Sequence, residues 1–347
     1  MAVKPPDTDG IRLFWWAAHH LPQDPSTSFS GKTVLITGAN SGLGLEAAVK
    51  FAALGAARLI LCIRSLQRGE EARAEICRRT NYDSKNVQLY EVNMDTFGSV
   101  AGLAKMLSAK EPRIDVAVLN AGVTAPSYVL SPEGYEMTLQ VNVLSTALLA
   151  ILLLPLLRRS SNSSGEPSCL EFVGSDGHRM VKPGTFNFDS DSRILDKVNS
   201  QEFFNYMTHY QVSKLLLMYV VDGLVKSRSP ITQAPSSDVI ITTVCPGLCR
   251  TNLGRGFSAS AKVANGIFQS IFARTAEEGS RSIVSGAALG HDAHGQFWVH
   301  DVFFRKGELV TGAEGQKLQL RFWRDVLEVL GPHVPQESMA SLQAIDQ

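Results

Sequence analysis

Net charge is the first thing this chain lacks. Lysine plus arginine and aspartate plus glutamate each total 33, so no excess of positive charge is on offer to a polyanion such as nucleic acid, and a small-molecule ligand fits better. Cysteine is sparse as well. The five, Cys62, Cys77, Cys169, Cys245 and Cys249, are scattered and odd in number, and the close pair at 245 and 249 has no second pair to complete a zinc site. No metal is expected, and a reducing, cytoplasmic setting is. The chain shows no charged start followed by an apolar leader segment, and Phe14-Trp15-Trp16 is far too short to cross a bilayer. Whether those aromatics touch a membrane surface stays open. The longest apolar stretch, residues 144–157, contains Ser145, Thr146 and Pro155. It is too short to span, so no integral membrane segment is expected. No internal repeat is visible.

What is present is enough to fold. A chain of 347 residues with 44% hydrophobic residues can bury a substantial core, as one large domain or two ordinary ones. Apolar strand-like runs at 34–36, 58–64, 87–92, 116–119, 169–173 and 239–244 alternate with helix-like segments at 45–54, 67–79, 99–108, 139–157 and 206–225. That alternation predicts an α/β fold, a doubly wound parallel sheet with helices on both faces in three layers. Residues 158–168 and 227–237 are rich in Ser, Gly and Pro and read as loops. The sequon Asn162-Ser163-Ser164 in the first is taken as coincidence. Residues 1–30 read as an arm laid over the domain, 31–330 as the domain, and 331–347 as a loose tail.

The run Thr37-Gly38-Ala39-Asn40-Ser41-Gly42-Leu43-Gly44 joins the first strand to the first long helix. Gly38 allows a tight turn, Gly42 lets a pyrophosphate approach the backbone, and Gly44 lets the helix pack on the strand. Unpaired N–H groups at the helix start and the aligned peptide dipoles both favour a phosphate there. Ser41 and Leu43 join the three glycines as expected cofactor contacts. The spacing is Gly-x-x-x-Gly-x-Gly, and a glycine turn without a ligand is the plain alternative.

Further along, Asn120-Ala121-Gly122 ends a strand, Asn142 lies in a helix, Ser175 follows a strand, and Lys214 comes four residues after Tyr210. In this order and spacing the set resembles the short-chain dehydrogenase/reductase superfamily from about residue 31 to 330. Cys62-Ile63-Arg64, His178 and Trp323 resemble its retinol dehydrogenase and protochlorophyllide reductase-like branch, and the chain is similar to fungal reductases of secondary metabolism. The resemblance implies a Rossmann-type fold, cofactor contacts at Asn120 and Gly122, and a catalytic set of Asn142, Ser175, Tyr210 and Lys214.

The chemistry of that set can be argued from the side chains. Residues four apart on a helix share a face, so Tyr210 and Lys214 project together. A phenol titrates near pH ~10, and a nearby ammonium favours its anion and lowers that value. Tyr210 is therefore the expected proton donor for carbonyl reduction, with Lys214 tuning it and bonding the nicotinamide ribose. Ser175 would hydrogen-bond the substrate oxygen as charge develops. Asn142 matches the family's asparagine, which supports a water on the proton path. Singly, each has an ordinary alternative: a core tyrosine, a capping serine, an asparagine satisfying backbone. Tyr206 and His209 read as packing or pocket-wall residues, and His178 as a loop hydrogen bond.

An acid at the end of the second strand bonds a ribose 2′-OH, whereas arginine accommodates a 2′-phosphate. Residues 59–68 hold Arg64 and Arg68 and no acid, so NADP(H) is the expected cofactor, and the family pattern favours Arg64. Asn93-Met94 stands where relatives carry Asp-Leu, and Asn93 can still accept from the adenine amine. Gly174 replaces a serine frequent in relatives. Pro246-Gly247-Leu248-Cys249-Arg250-Thr251 resembles the family's Pro-Gly-x-x-x-Thr turn, implying cofactor contacts from the Leu248 backbone and the Thr251 hydroxyl. Cys245 and Cys249 read as packing. Val263, Ala264, Ile267, Phe268, Ile271 and Phe272 form an apolar stripe at helical spacing. It is either core or the wall of a lid at 254–278.

Together these readings predict an NADPH-dependent oxidoreductase acting between a carbonyl and an alcohol of a lipophilic small molecule, such as a polyketide-like secondary metabolite. A non-redox catalyst or a regulatory cofactor-binding protein on the same fold is the competing reading. The apolar helix at 144–157 is a candidate homodimer face or an internal core helix.

Overall fold

The computed structural model describes residues 5–6, 11–189, 192–227, 238–250 and 272–343. Thr251, residues 254–271 of the segment 254–278 read as a lid, and most of the loop 227–237 lie outside the described residues.

Eight strands form one sheet: β1 (Thr33–Thr37), β2 (Arg58–Ile63), β3 (Val87–Glu91), β4 (Val116–Leu119), β5 (Ser168–Val173), β6 (Val239–Cys245), β7 (Phe297–Val299) and β8 (Val302–Phe303). Their order is β3-β2-β1-β4-β5-β6-β7-β8. All neighbours pair in parallel except β7 and β8. β1, β4, β5 and β6 are buried along their whole length. That is why they read as mostly apolar runs without strict alternation, with Glu171 the one charge among them. Strand order reverses between β1 and β4, which opens the crevice where doubly wound sheets bind ligands.

Helices cover both faces. On one lie α2 (Gly42–Ala53), α3 (Leu66–Thr80) and α8 (Ala276–Gly286), with Phe51, Ile76 and Ile283 in the core beneath them. On the other lie α4 (Phe97–Lys110), α5 (Met137–Ser164), α7 (His209–Lys226) and α10 (Ala313–Leu330), contributing Leu103, Leu149, Leu216 and Phe322. Short helices α6 (Ile194–Val198) and α9 (Glu308–Thr311) pack against α10. The helix α1 (Ile11–His19) lies on the domain through buried Leu13 and Ala17. This is the three-layer Rossmann-type arrangement expected.

Three expectations need correction. The segment 158–168 is not a loop over most of its length, because α5 runs to Ser164 and stops at Gly165, φ +72°. Serine hydroxyls carry it on. Ser160, fully buried, donates to Leu156 O at 2.9 Å and accepts from Ile114 N at 2.8 Å. The tail is not loose over 331–343: α11 (Gln336–Gln343) places Leu342 and Ser338 beside Leu154 and Pro155 of α5, and Leu342 is buried.

The added turns also make α5, at 28 residues, long and apolar enough to cross a membrane, contrary to the length reading of 144–157. Its most apolar window is 89% buried against the sheet and neighbouring helices, so it serves as a core helix.

Candidate active site

The glycine turn is built from the end of β1. Gly38 (φ +67°) donates its N–H to Cys62 O at 2.8 Å. Asn120 locks the turn from β4, its Nδ2 donating to Thr37 O at 2.9 Å, while the Thr37 hydroxyl accepts from the N–H groups of Asn120 and Ala121. A Cβ on Gly44 would lie 2.6 Å from both Gly38 O and Asn120 Nδ2, so only glycine lets α2 start this close. A Cβ on Gly42 (φ +56°) would meet nothing within 4 Å. Gly42 faces open space. Ser41 begins α2 with no side-chain cap bond, so the first-turn N–H groups receive no acceptor from it. An anionic group fits this cradle.

Arg64 follows β2 and is exposed. It lines an open groove of about 710 Å³ with Asn93, Ser99, Lys110 and Glu91. Glu91 is the one carboxylate there, and the sequence reading missed it because it sits on β3 and not β2. Asn93 holds the groove's turn, its Oδ1 accepting from Asp95 N at 3.2 Å and its N–H donating to Ser99 Oγ at 2.9 Å. One lone pair of that amide oxygen remains for a ligand.

The four candidate catalytic residues gather around the ends of β5 and α7. Lys214, buried in α7, donates from Nζ to Val173 O at 2.8 Å, at the end of β5. Its ammonium is 5.6 Å from the Tyr210 ring centre. Two residues past Val173, the Ser175 hydroxyl accepts from Gly177 N at 3.1 Å, close enough to Tyr210 to favour its phenolate. Asn142, 1% exposed, lies in a π-helical turn (Gln140–Ser145) of α5. Its amide pairs with the Val123 backbone at 2.8 and 2.9 Å and donates to Ser213 Oγ at 3.2 Å. Ser213 in turn donates to Tyr210 O at 2.7 Å. Ser213 was not singled out from sequence, since nothing marks one serine among the α7 residues. A Cβ on Gly122 would lie 3.3 Å from Asn142 Oδ1, so the Asn-Ala-Gly strand end packs directly on this cluster.

The electrostatics differ from expectation. Burial pushes the Tyr210 phenol up, with Cys245 adding to the rise and the neighbouring Ser175 hydroxyl opposing it. The lysine does not dominate. Burial lowers Lys214 itself to about 8, Cys245 acting the other way. Cys245 lies behind the site: its sulfur accepts from Asp176 N at 3.2 Å and Gly247 N at 3.3 Å. His178 makes the loop bonds anticipated for it. Its ring donates from Nδ1 to Ser175 O at 2.6 Å and accepts from Gly307 N through Nε2 at 3.0 Å, as the neutral Nδ1–H tautomer allows. Tyr206 is exposed at 55%, outside the cluster, and His209 is buried against Glu136 at 2.9 Å.

The turn at 246–250 closes the site's other edge. Gly247 (φ +78°) and Leu248 are held by Arg274, whose N–H donates to Leu248 O at 2.8 Å. Among the described residues no group of three or more His, Cys, Asp or Glu is placed to hold a metal.

Residues 32–166 match the protein family described as short chain dehydrogenase. The chain is 47% identical over 331 residues to the short-chain dehydrogenase/reductase ffsI of Aspergillus flavipes, covering 95% of each. It is 47% identical over 308 residues to phmF of Phaeosphaeria nodorum, covering 89% of each. Among solved structures, an uncharacterized protein from Mycobacterium paratuberculosis aligns with TM-score 0.60 at 23% identity, over 91% of this chain and 97% of that one. An alcohol dehydrogenase from Thermococcus sibiricus, complexed with 5-hydroxy-NADP, aligns with TM-score 0.54 at 19% identity, over 79% of this chain and 98% of that one. At those identities the likeness is one of fold.

Proposed function

The chain belongs to the short-chain dehydrogenase/reductase family and is an oxidoreductase of that kind, and on that premise we propose that it is an NADPH-dependent reductase of lipophilic ketones or aldehydes, or the dehydrogenase of the matching alcohols. The observation that carries this reading is the gathering of Ser175, Tyr210 and Lys214 where α7 meets the end of β5, with an anion-ready glycine cradle at the end of β1. Bound nicotinamide would supply the hydride to the carbonyl carbon.

The protein's own residues do the rest. Ser175 donates a hydrogen bond to the substrate oxygen as negative charge grows there, and Tyr210 delivers the proton that completes the alcohol. Lys214, charged below about pH 8, favours the phenolate left behind. In the oxidative direction the same groups act in reverse. Arg64 and Lys110 give the groove at β2 and β3 two cations against the single carboxylate of Glu91. That balance supports a 2′-phosphate, hence NADP(H), with Asn93 toward the adenine. Leu248 and Thr251 complete the cofactor set. The substrate we favour is a polyketide-like intermediate of fungal secondary metabolism, in keeping with the fungal relatives. A cytosolic setting suits five free cysteines, four of them buried.

The test is Tyr210→Phe. Turnover should fall by about 10²–10⁴ while NADPH still binds. Conversion of substrate that survives the substitution would instead point to a non-redox or regulatory protein.

A further inference from the structure

Arg274 is 3% exposed, and its guanidinium meets no carboxylate among the described ion pairs. Its partners are carbonyls and a histidine. Nε and Nη2 donate to Ala17 O at 3.2 and 3.0 Å, Nη2 also donates to His20 O at 2.8 Å, and Nη1 donates to Pro246 O at 3.4 Å. Nη2 further lies 2.9 Å from His300 Nδ1. A buried guanidinium is tolerated only where its donors are satisfied. Here the acceptors come from the end of α1, whose last carbonyls have no partner within the helix and carry the negative end of its dipole. Burial holds the His300 imidazole down to about 3, with Arg274 the next cause, so the ring is a neutral acceptor.

The same residue grips the turn at 246–250 through its main chain. Its N–H donates to Leu248 O and its carbonyl accepts from Arg250 N, both at 2.8 Å. Gly247 sits against the guanidinium so closely that a Cβ there would lie 2.9 Å from Nη1. On the far side Gly279 of α8 bridges the turn and the cofactor cradle: a Cβ on it would lie 2.9 Å from Leu43 and 3.3 Å from Pro246 O. The end of α1, Arg274, the turn, α8 at Gly279 and the start of α2 are thus one contiguous stack.

We propose that Arg274 is a positioning residue that makes the N-terminal helix α1 part of the nicotinamide side of the cofactor site, by fixing the Leu248 backbone through the carbonyls that close α1. This inference rests on the cofactor reading above. It predicts a split between the two halves of the cofactor, because the adenine end, at Arg64 and Asn93, is built on β2 and β3 at the opposite side of the sheet order. A staple that merely stabilised the fold would not distinguish them.

The experiment measures dissociation constants of NADPH and of 2′,5′-ADP, which carries only the adenine half, for the full-length protein, Arg274→Met and Arg274→Lys. The expected result is NADPH binding weakened roughly tenfold or more in Arg274→Met, 2′,5′-ADP binding within about twofold of wild type, and an intermediate NADPH value for Arg274→Lys. Equal changes for both ligands, or none for NADPH, would overturn the proposal. If circular dichroism shows Arg274→Met unfolded, Arg274→Lys decides, and unchanged NADPH affinity in that folded variant overturns it. A wild-type protein that binds neither ligand would instead sink the cofactor reading itself.

Discussion

The Lys214 ammonium donates to the Val173 carbonyl at 2.8 Å. Val173 ends β5 just ahead of Gly174 and Ser175, so this bond ties the lysine of α7 to the strand that carries the serine. Burial lowers the ammonium to about 8, while the Tyr210 phenol is pushed up. The phenol therefore keeps its proton across the neutral range, and the lysine is the group that changes charge. Carbonyl reduction should lose kcat/KM as pH rises through about 8, where Lys214 loses its proton. A pH–rate profile from 6 to 10 checks this. A flat profile would contradict it.

Gly44 and Gly42 should respond differently to alanine. At Gly44 the new Cβ would lie 2.6 Å from Gly38 O, a backbone atom with no room to retreat, so Gly44→Ala should lower both thermal stability and NADPH affinity. At Gly42 there is open space but a φ of +56°, so strain of about 1 kcal/mol is the expected stability effect. The loss there should fall chiefly on NADPH binding, because the Cβ occupies the phosphate approach. Thermal melts and binding isotherms of the two variants separate the cases.

Arg64 is exposed beside Asn93 in the groove. A charge-assisted bond to a phosphate contributes about 1.5–3 kcal/mol, so Arg64→Ala should weaken NADPH binding by roughly 10- to 100-fold. NADH binding should stay within a few-fold. Equal loss for both cofactors would mean that Arg64 does not read the 2′-phosphate.

His178 should give the protein an acid-sensitive limb. Burial holds it at about 4 against an ordinary 6.5, so between those values the unfolded chain binds more protons than the folded one and stability rises with pH. The contribution is complete above about 6.5 and is lost as pH falls toward about 4, with a ceiling of about 3 kcal/mol. The melting temperature should fall between pH 6.5 and 4.5, and fall less in His178→Asn. Identical slopes would exclude His178 as the source.

Much of this was legible because it is written locally. Buried parallel strands read as apolar runs, and the glycine turn reads as spacing, since Gly38 and Gly44 answer to steric limits set within a few residues. What depends on distant partners was not legible. The Ser160 hydroxyl ties the extended end of α5 to the chain ahead of β4 by accepting from Ile114, and α11 packs on α5 from far along the chain. Arg274 joins residues 257 positions apart, and no local pattern announces such a contact. The tyrosine's electrostatics were misjudged for the same reason: helical spacing brings Lys214 near, but burial of the phenol outweighs it.

The most direct test of the account is the loss of NADPH absorbance by the purified protein with a panel of lipophilic ketones, aldehydes and quinones, with NADH run in parallel. Turnover with NADPH, and little or none with NADH, is the predicted result. Clear preference for NADH would contradict the cofactor assignment, and tight NADPH binding with no oxidation across the panel would contradict carbonyl reduction of this substrate class.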